Sequence, residues 1–431
     1  MYKKYIIFIF ILAFVFRLFL IPSSYHGDLR NNYSWGETLL KYGTNGFYDR
    51  SEWEYSKPNQ PALYIYVFAA DAYVYQTINK YIYKINDLVS FFPSQLVWYW
   101  EIYGKYFVLK VPGILFDLGI GFILFKFFFS VKKPKLAAIV SVVWLFMPVS
   151  WYNSAVWGQT DSILNFLGIL SVIFLVRKRI FLSIFLFTLC CLYKLSLSIY
   201  LPFIVYYLFK NNVDYKILLK GILASVAVFV ILFLPFHLST DFFVWIFDLY
   251  KTRLFAGEIG YLTANAFNFW WLINPGKILD SSIFYIFSYS TFGYLIFFGL
   301  YIFSLFNFIR NKTESSVFLS LALISFSSFM FLTKMHERYL YPFFPLFIVY
   351  LGLEQKIVVR NIMIFVLILL NITYVFNLYH LFWVPSLPGV EKFLQINFEF
   401  QYISSFVNLM LLIFVIIFTS VHTLRKKFRY N

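Results

Sequence analysis

"YIIFIFILAFVFRLFLIPSSYHGDLRNNYSWGE", residues 5–37, changes character halfway along. Its first half is apolar except for Arg17, and at 1.5 Å per residue it is long enough to cross most of a bilayer's ~30 Å hydrocarbon core. Its second half abruptly gathers a His, an Asp, an Arg, two Asn and a Glu. Lys3 and Lys4 precede the apolar run, as they would in a secretory signal. The run is long for a signal core, however, no A-x-A-like site follows it, and Arg17 interrupts its far end. It reads as an uncleaved first span, and the polar stretch is where the chain leaves the membrane.

Working outward, 61% of the 431 residues are apolar, 24% aromatic and only 13% charged, with a mean hydropathy of +0.73. These values describe an all-α polytopic membrane protein. Unbroken blocks such as "LLIFVIIFTSV", residues 411–421, exclude the alternation of an outer-membrane barrel. The net charge of +16 does not mark a nucleic-acid surface, because Lys and Arg sit in short clusters between apolar blocks, where membrane topology places them. Cys190 and Cys191 are adjacent inside an apolar block and offer no metal-ligand spacing.

A window of about 20 residues gives twelve expected spans, near 5–21, 106–129, 136–150, 159–176, 180–193, 197–209, 216–235, 283–309, 316–332, 341–353, 361–382 and 403–421. The whole of 1–431 reads as one integral-membrane domain. Residues 22–105 form a first extracytoplasmic loop with interfacial helices, and 236–282 a second large one. The segment 61–78, "PALYIYVFAADAYVYQTI", is apolar but carries Asp71 and many Tyr, so it reads as interfacial. With that choice, the clusters at Lys3/Lys4, Lys132/Lys133/Lys135, Arg177/Lys178/Arg179, Lys210/Lys216/Lys220, Arg310/Lys312, Lys356/Arg360 and Arg425/Lys426/Lys427/Arg429 all fall on the cytoplasmic side, with both termini.

The polar stretches then share the opposite face: "HGDLRNN", "NSAVWGQTDS", "YKLS", "GEIGYLTANAFNFWW" and "TKMHERYLYP". A transporter would more often place such groups near the midplane within internal repeats, and no repeat is evident. Together with "PNQPALYIYV" and "LKVPGILFD", these motifs and their order resemble the GT-C glycosyltransferases, closest to bacterial mannosyltransferase-like proteins related to GPI-anchor mannosyltransferases. The resemblance implies a GT-C-like bundle in a bacterial-type plasma membrane. It also implies an extracytoplasmic active site that moves a mannose-like hexose from a polyprenyl-phosphate carrier to a glycan, lipid or protein acceptor. One departure is "PNQPALY", where relatives often show Tyr or His before paired prolines. A flippase or carrier for lipid-linked saccharides would share such a cavity and is the alternative from another class; a polysaccharide polymerase or ligase is a third.

Each candidate residue has a chemical and a structural reading. Asp28 resembles the catalytic Asp of the family's first loop and could act as the base for the acceptor hydroxyl, or it could cap an interfacial helix. On such a helix Asp28, Asn32 and Trp35 share a face. Lys334, His336 and Arg338 could hold the carrier phosphate, Lys334 and Arg338 as i and i+4 neighbours, or they could anchor the chain at the membrane edge. Lys194 is a second phosphate candidate. Trp157, Gln159 and Asp161 suit a sugar or acceptor, as do Trp35, Asn265 and Glu337; Asp161 could equally serve a helix N-terminus, and Asn265 and Asn268 could satisfy turn backbone. Arg17 and Asp117 lie inside spans, must face the interior, and are candidate partners. No His/Cys metal spacing occurs; a divalent cation on Asp28 and Glu37 is the one metal reading considered. The "NKT" at Asn311 and "NIT" at Asn371 read as chance sequons, one in a cytoplasmic loop and one inside a span.

Overall fold

The computed structural model describes residues 2–255, 260–396 and 399–427. Residues 257–259 of "GEIGYL" and Arg429 of the last basic cluster lie outside them. In chain order the helices begin with α1 (Tyr2–Leu20), α2 (Gly27–Tyr42), α3 (Ala62–Leu88), α4 (Ser94–Ser130), α5 (Pro134–Phe146) and α6 (Pro148–Trp151). There follow α7 (Asp161–Val176), α8 (Ile180–Tyr193), α9 (Leu201–Lys210), α10 (Tyr215–Phe233), α11 (Phe242–Leu249) and α12 (Phe269–Ile273). The last are α13 (Tyr289–Asn311), α14 (Glu314–Phe331), α15 (Phe343–Leu353), α16 (Ile357–Phe382), α17 (Pro388–Ile396) and α18 (Glu399–Lys427). Strands among the described residues are two residues long: Thr263–Ala264 pairs in parallel with Met335–His336, and Ile283–Phe284 pairs with Phe287–Ser288 as a hairpin.

The basic clusters form tight reversals. Lys132 between α4 and α5, Lys178 between α7 and α8, Asn212 between α9 and α10, and Lys312 after α13 all adopt positive φ, the left-handed conformation that ends a helix and turns the chain back. Longer polar connections alternate with these reversals along the sequence.

Among the described residues, seven helices are long and apolar enough to span a membrane: α1, α4, α10, α13, α14, α16 and α18. The pair α5 and α6, bent by 45° with the π-helical turn Tyr152–Trp157, makes an eighth if it is one broken span. The expected count of twelve is therefore not reached by full-length spans. The segments 159–176, 180–193, 197–209 and 341–353 are helical, but each helix is only 10–17 residues long, short of the ~20 a full crossing needs. Other boundaries also move: α4 begins at Ser94, the helix expected near 283 starts at Tyr289 after the hairpin, and α3 runs on to Leu88.

The chain divides into two compact units, the described parts of Met1–Ile123, Ser150–Ser198 and Asn211–Glu258, and those of Leu124–Val149, Ile199–Lys210 and Ile259–Asn431. In the first, α2 lies against α3 so closely that a Cβ on Gly36 would overlap the Phe68 carbonyl, while α8 packs on α7, α10 and α3. The end of α1, α4 and the π-helical turn meet around fully buried Ile21, Ile114 and Ala155. In the second, α14 is buried on all sides between α13 and α15, with the hydroxyls of Ser320, Ser325 and Ser328 donating to backbone carbonyls. Arg17 and Asp117 are both fully buried, the interior placement expected of charges within spans. Arg17 donates to the Ala13 carbonyl and to Ser150 Oγ at 2.9 Å.

Candidate functional site

In the first unit the polar residues gather where α1 gives way to α2. His26, not Asp28, caps α2: its Nδ1 accepts the Asp28 backbone N–H at 3.1 Å. An accepting Nδ1 carries no proton, so this bond belongs to a neutral imidazole, although Asp28 Oδ1 lies 3.7 Å away. Asp28 is thus released from the capping role. Its Oδ2 accepts a 2.6 Å hydrogen bond from Gln159 Nε2, and its side chain stays about a third exposed, at 36%. A carboxylate oriented by an amide and open to solvent can accept a proton from an incoming hydroxyl.

Gln159 reaches Asp28 because of two devices in "NSAVWGQ". Gly158 has φ +86°, and a Cβ there would lie 2.8 Å from Leu29 Cδ1 and 3.0 Å from Lys110 Cε. Lys110, buried on α4, points its ammonium at the carbonyls of Ile21, Ser24, Ala155 and Val156, at 2.7–3.1 Å. It ties the segment leading to Asp28 to the segment leading to Gln159, and Ser24 Oγ adds a bond to the Val156 carbonyl.

The other expected members of this cluster are more enclosed. Asn32 accepts from the Tyr64 hydroxyl at 3.0 Å; burial pushes that phenol up to about 12, against a lowering by Lys194. Trp35 is buried and donates to the Ser56 carbonyl, and Trp157 is buried with its ring edge-on to His26 at 5.7 Å. Both indoles wall the cluster and present no open ring face to a sugar. Asp161 sits in the first turn of α7 and pairs with Lys194 at 2.8 Å, both buried. The Lys194 charge is therefore already matched inside the protein by a carboxylate. Asp28 and Glu37 do not form a metal pair either: nine residues at 100° each put them on opposite sides of α2. No group of three His, Cys, Asp or Glu that could hold a metal ion occurs among the described residues.

In the second unit, 333–342 does not form the helix on which Lys334 and Arg338 would be i and i+4 neighbours. The ladder between Met335–His336 and Thr263–Ala264 extends the chain, and Lys334 takes φ +63°. Lys334 and Arg338 consequently share no helical face. Lys334 lies 3.4 Å from Asp280 Oδ2, which also accepts from Thr333 at 3.0 Å. Arg338 donates to Glu337 Oε1 at 2.8 Å, and His336 Nδ1 is 3.8 Å from Glu337 Oε2. Glu337 is only 2% exposed. Burial alone would raise its carboxyl, but the hydrogen bond from His336 and the charges of Arg338 and His336 hold it below the usual range. Glu337 thus braces its neighbours and is closed to a sugar. Lys334 and His336 remain partly exposed, at 38% and 27%. Asn268 caps α12 by accepting from the N–H groups of Trp270 and Trp271, the structural reading. Asn265 is exposed at φ +63°, while its carbonyl accepts from Asn377.

Sequence reasoning missed Lys110, Asp280 and Tyr64. A lone cation inside an apolar span is the same signal that singled out Asp117, so Lys110 was within reach. Asp280 and Tyr64 carry no local signal.

Fold and composition together define the class: an all-α membrane protein with two clusters of polar residues set at helix ends. Beyond the class, the chain matches no family model and no curated protein.

Proposed function

We propose that this protein is a membrane glycosyltransferase, a GT-C-like bundle of twelve crossings, four of them short, with both termini in the cytoplasm of a bacterial-type plasma membrane. It moves a mannose-like hexose from a polyprenyl-phosphate carrier to an extracytoplasmic acceptor. The observation that supports this reading best is the half-open carboxylate of Asp28, held by Gln159 just beyond the first span.

In the reaction, Asp28 takes the proton of the acceptor hydroxyl. That oxygen bonds to the anomeric carbon as the bond from this carbon to the carrier phosphate oxygen breaks, with inversion. The lipid phosphate leaves with the electron pair, a developing charge that calls for cationic or hydrogen-bonding groups around it. Arg338 is assigned a bracing part through Glu337.

The test is Asp28→Asn in the purified full chain in nanodiscs, supplied with polyprenyl-phosphate hexoses and scored for consumed donor. Removing a general base costs 10²–10⁴-fold, so turnover should fall by about that factor at normal yield. Near-normal turnover in the variant refutes the role of Asp28. Movement of the carrier-linked sugar across the bilayer without its consumption establishes the flippase reading instead.

A further inference from the structure

Two cavities flank α2 in the first unit. The larger, about 780 Å³, is lined by Glu37, Lys41, Arg50, Glu52, Trp53 and Glu54 among others. The smaller, about 160 Å³, shares Glu37 and Glu54 and extends to Arg30 and Tyr25, three residues before Asp28. Both cavities are lined by the same two carboxylates, so they adjoin at Glu37 and Glu54, and together they are called the trough. It follows the stripe Arg30, Ser34, Glu37, Lys41, whose i, i+3, i+4 spacings put these residues on one side of the helix; Leu29, Asn32 and Gly36 lie on other sides and are buried. From Arg30 to Lys41 the trough runs about 16 Å at 1.5 Å per residue.

Its chemistry narrows the occupant. The larger cavity's volume is that of a small-molecule site, yet charged groups dominate the wall, so a lipid tail does not suit it. Across both cavities three carboxylates (Glu37, Glu52, Glu54) face four cations (Arg30, Lys41, Arg50, Lys105), which leaves the wall nearly balanced and selects neither a phosphate nor a cation. What such a wall does match is a ligand that donates and accepts many neutral hydrogen bonds. The carboxylates accept from hydroxyls, and Lys41 and Arg50 donate to them. Glu37 has capacity to spare: its contacts with Tyr33 and Gln76 are long, at 3.4 and 3.5 Å. Arg50 is held in place by stacking on Tyr42 at 3.9 Å, and its buried Nε has no hydrogen-bond partner. Trp53, braced edge-on by Phe47 at 5.0 Å, supplies an indole for the C–H face of a sugar ring.

We propose that this trough binds a neutral, hydroxyl-rich saccharide. Its role as the acceptor site rests on the glycosyl-transfer reading above; the binding itself does not.

The experiment is saturation-transfer NMR on the full chain in nanodiscs with three neutral probes, α-mannotriose, maltotriose and cellotriose. At least one should give a signal, weakened at least tenfold in affinity by Trp53→Ala and by Glu54→Gln, and kept in Asp28→Asn. Glu54 is exposed, so its variant folds even if loss of Trp53 disturbs the loop. No signal from any probe, a signal untouched by both variants, or displacement by inorganic phosphate overturns the proposal. Binding without any sugar transfer by the wild type keeps the trough and sinks the enzyme; transfer without binding does the reverse.

Discussion

Lys110→Met tests the structural origin of the Asp28–Gln159 arrangement. The substitution keeps the length of the side chain and removes its donors. An ammonium has three protons, so Lys110 satisfies three of its four carbonyls at a time. Hydrogen bonds from a charged donor contribute about 1.5–3 kcal/mol each, or roughly 4.5–9 kcal/mol for three. Holding the ammonium out of water costs several kcal/mol, leaving a net of about 3–5 kcal/mol. Methionine regains part of the desolvation cost but leaves carbonyls facing a thioether; that of Val156 keeps another donor, Ser24 Oγ. With an unfolding entropy of about 2.1 cal/mol/K per residue, or roughly 0.9 kcal/mol/K over 431 residues, the midpoint should drop by about 3–6 °C. The fully buried Cys190 provides the readout, because a thiol-reactive fluorophore lights up as it is unmasked during a thermal ramp in detergent. Transfer should fall as well, since Ile21 and Ser24 lead directly into His26 and Asp28. An unchanged midpoint would show that the four carbonyls are served as well by other means, and the tether argument would fail.

Gly158→Ala strains the same junction, with a Cβ at a left-handed residue and contacts of 2.8 and 3.0 Å; the thermal midpoint should fall by an amount corresponding to about 1–3 kcal/mol. Asp71 on α3 is buried, and burial pushes its carboxyl from 3.8 up to about 8. A raised folded value favours the folded state below pH ~4 and is lost as pH climbs to ~8, so Asp71→Asn should raise the midpoint at pH 9 relative to wild type and much less at pH 4; equal shifts at both count against it. Glu337 has the opposite sign: its lowered carboxyl stabilises above the ordinary Glu range and fails as pH falls, and Glu337→Gln should flatten that acid limb. Arg338→Lys keeps the cation but loses the guanidinium geometry that serves Glu337 Oε1 at 2.8 Å and should cut transfer tenfold or more, whereas a mere membrane anchor would work unchanged. Cysteines at Ser51 and Ser239 should react with an impermeant reagent in intact cells and one at Ser130 should not; all three positions are exposed, so the contrast reads sidedness alone.

The sequence by itself determined the class, the order of the helices and the basic reversals between them. Bilayer insertion and helix formation depend on composition and on contacts within a few residues, and both are written locally. It also singled out Asp28, Gln159 and Asp161 from their motifs. What it could not determine is which of these residues touch. Gln159 meets Asp28 across 131 positions and Lys194 meets Asp161 across 33, and only the packing of the π-helical turn with α1 and α4 and of α8 with α7 decides that one carboxylate stays open while the other is paired. The same limit governs 333–342. The i, i+4 spacing of Lys334 and Arg338 fits a helix locally, but a two-residue ladder to Thr263–Ala264 extends the backbone, and a partner some seventy residues away leaves no trace in the local pattern.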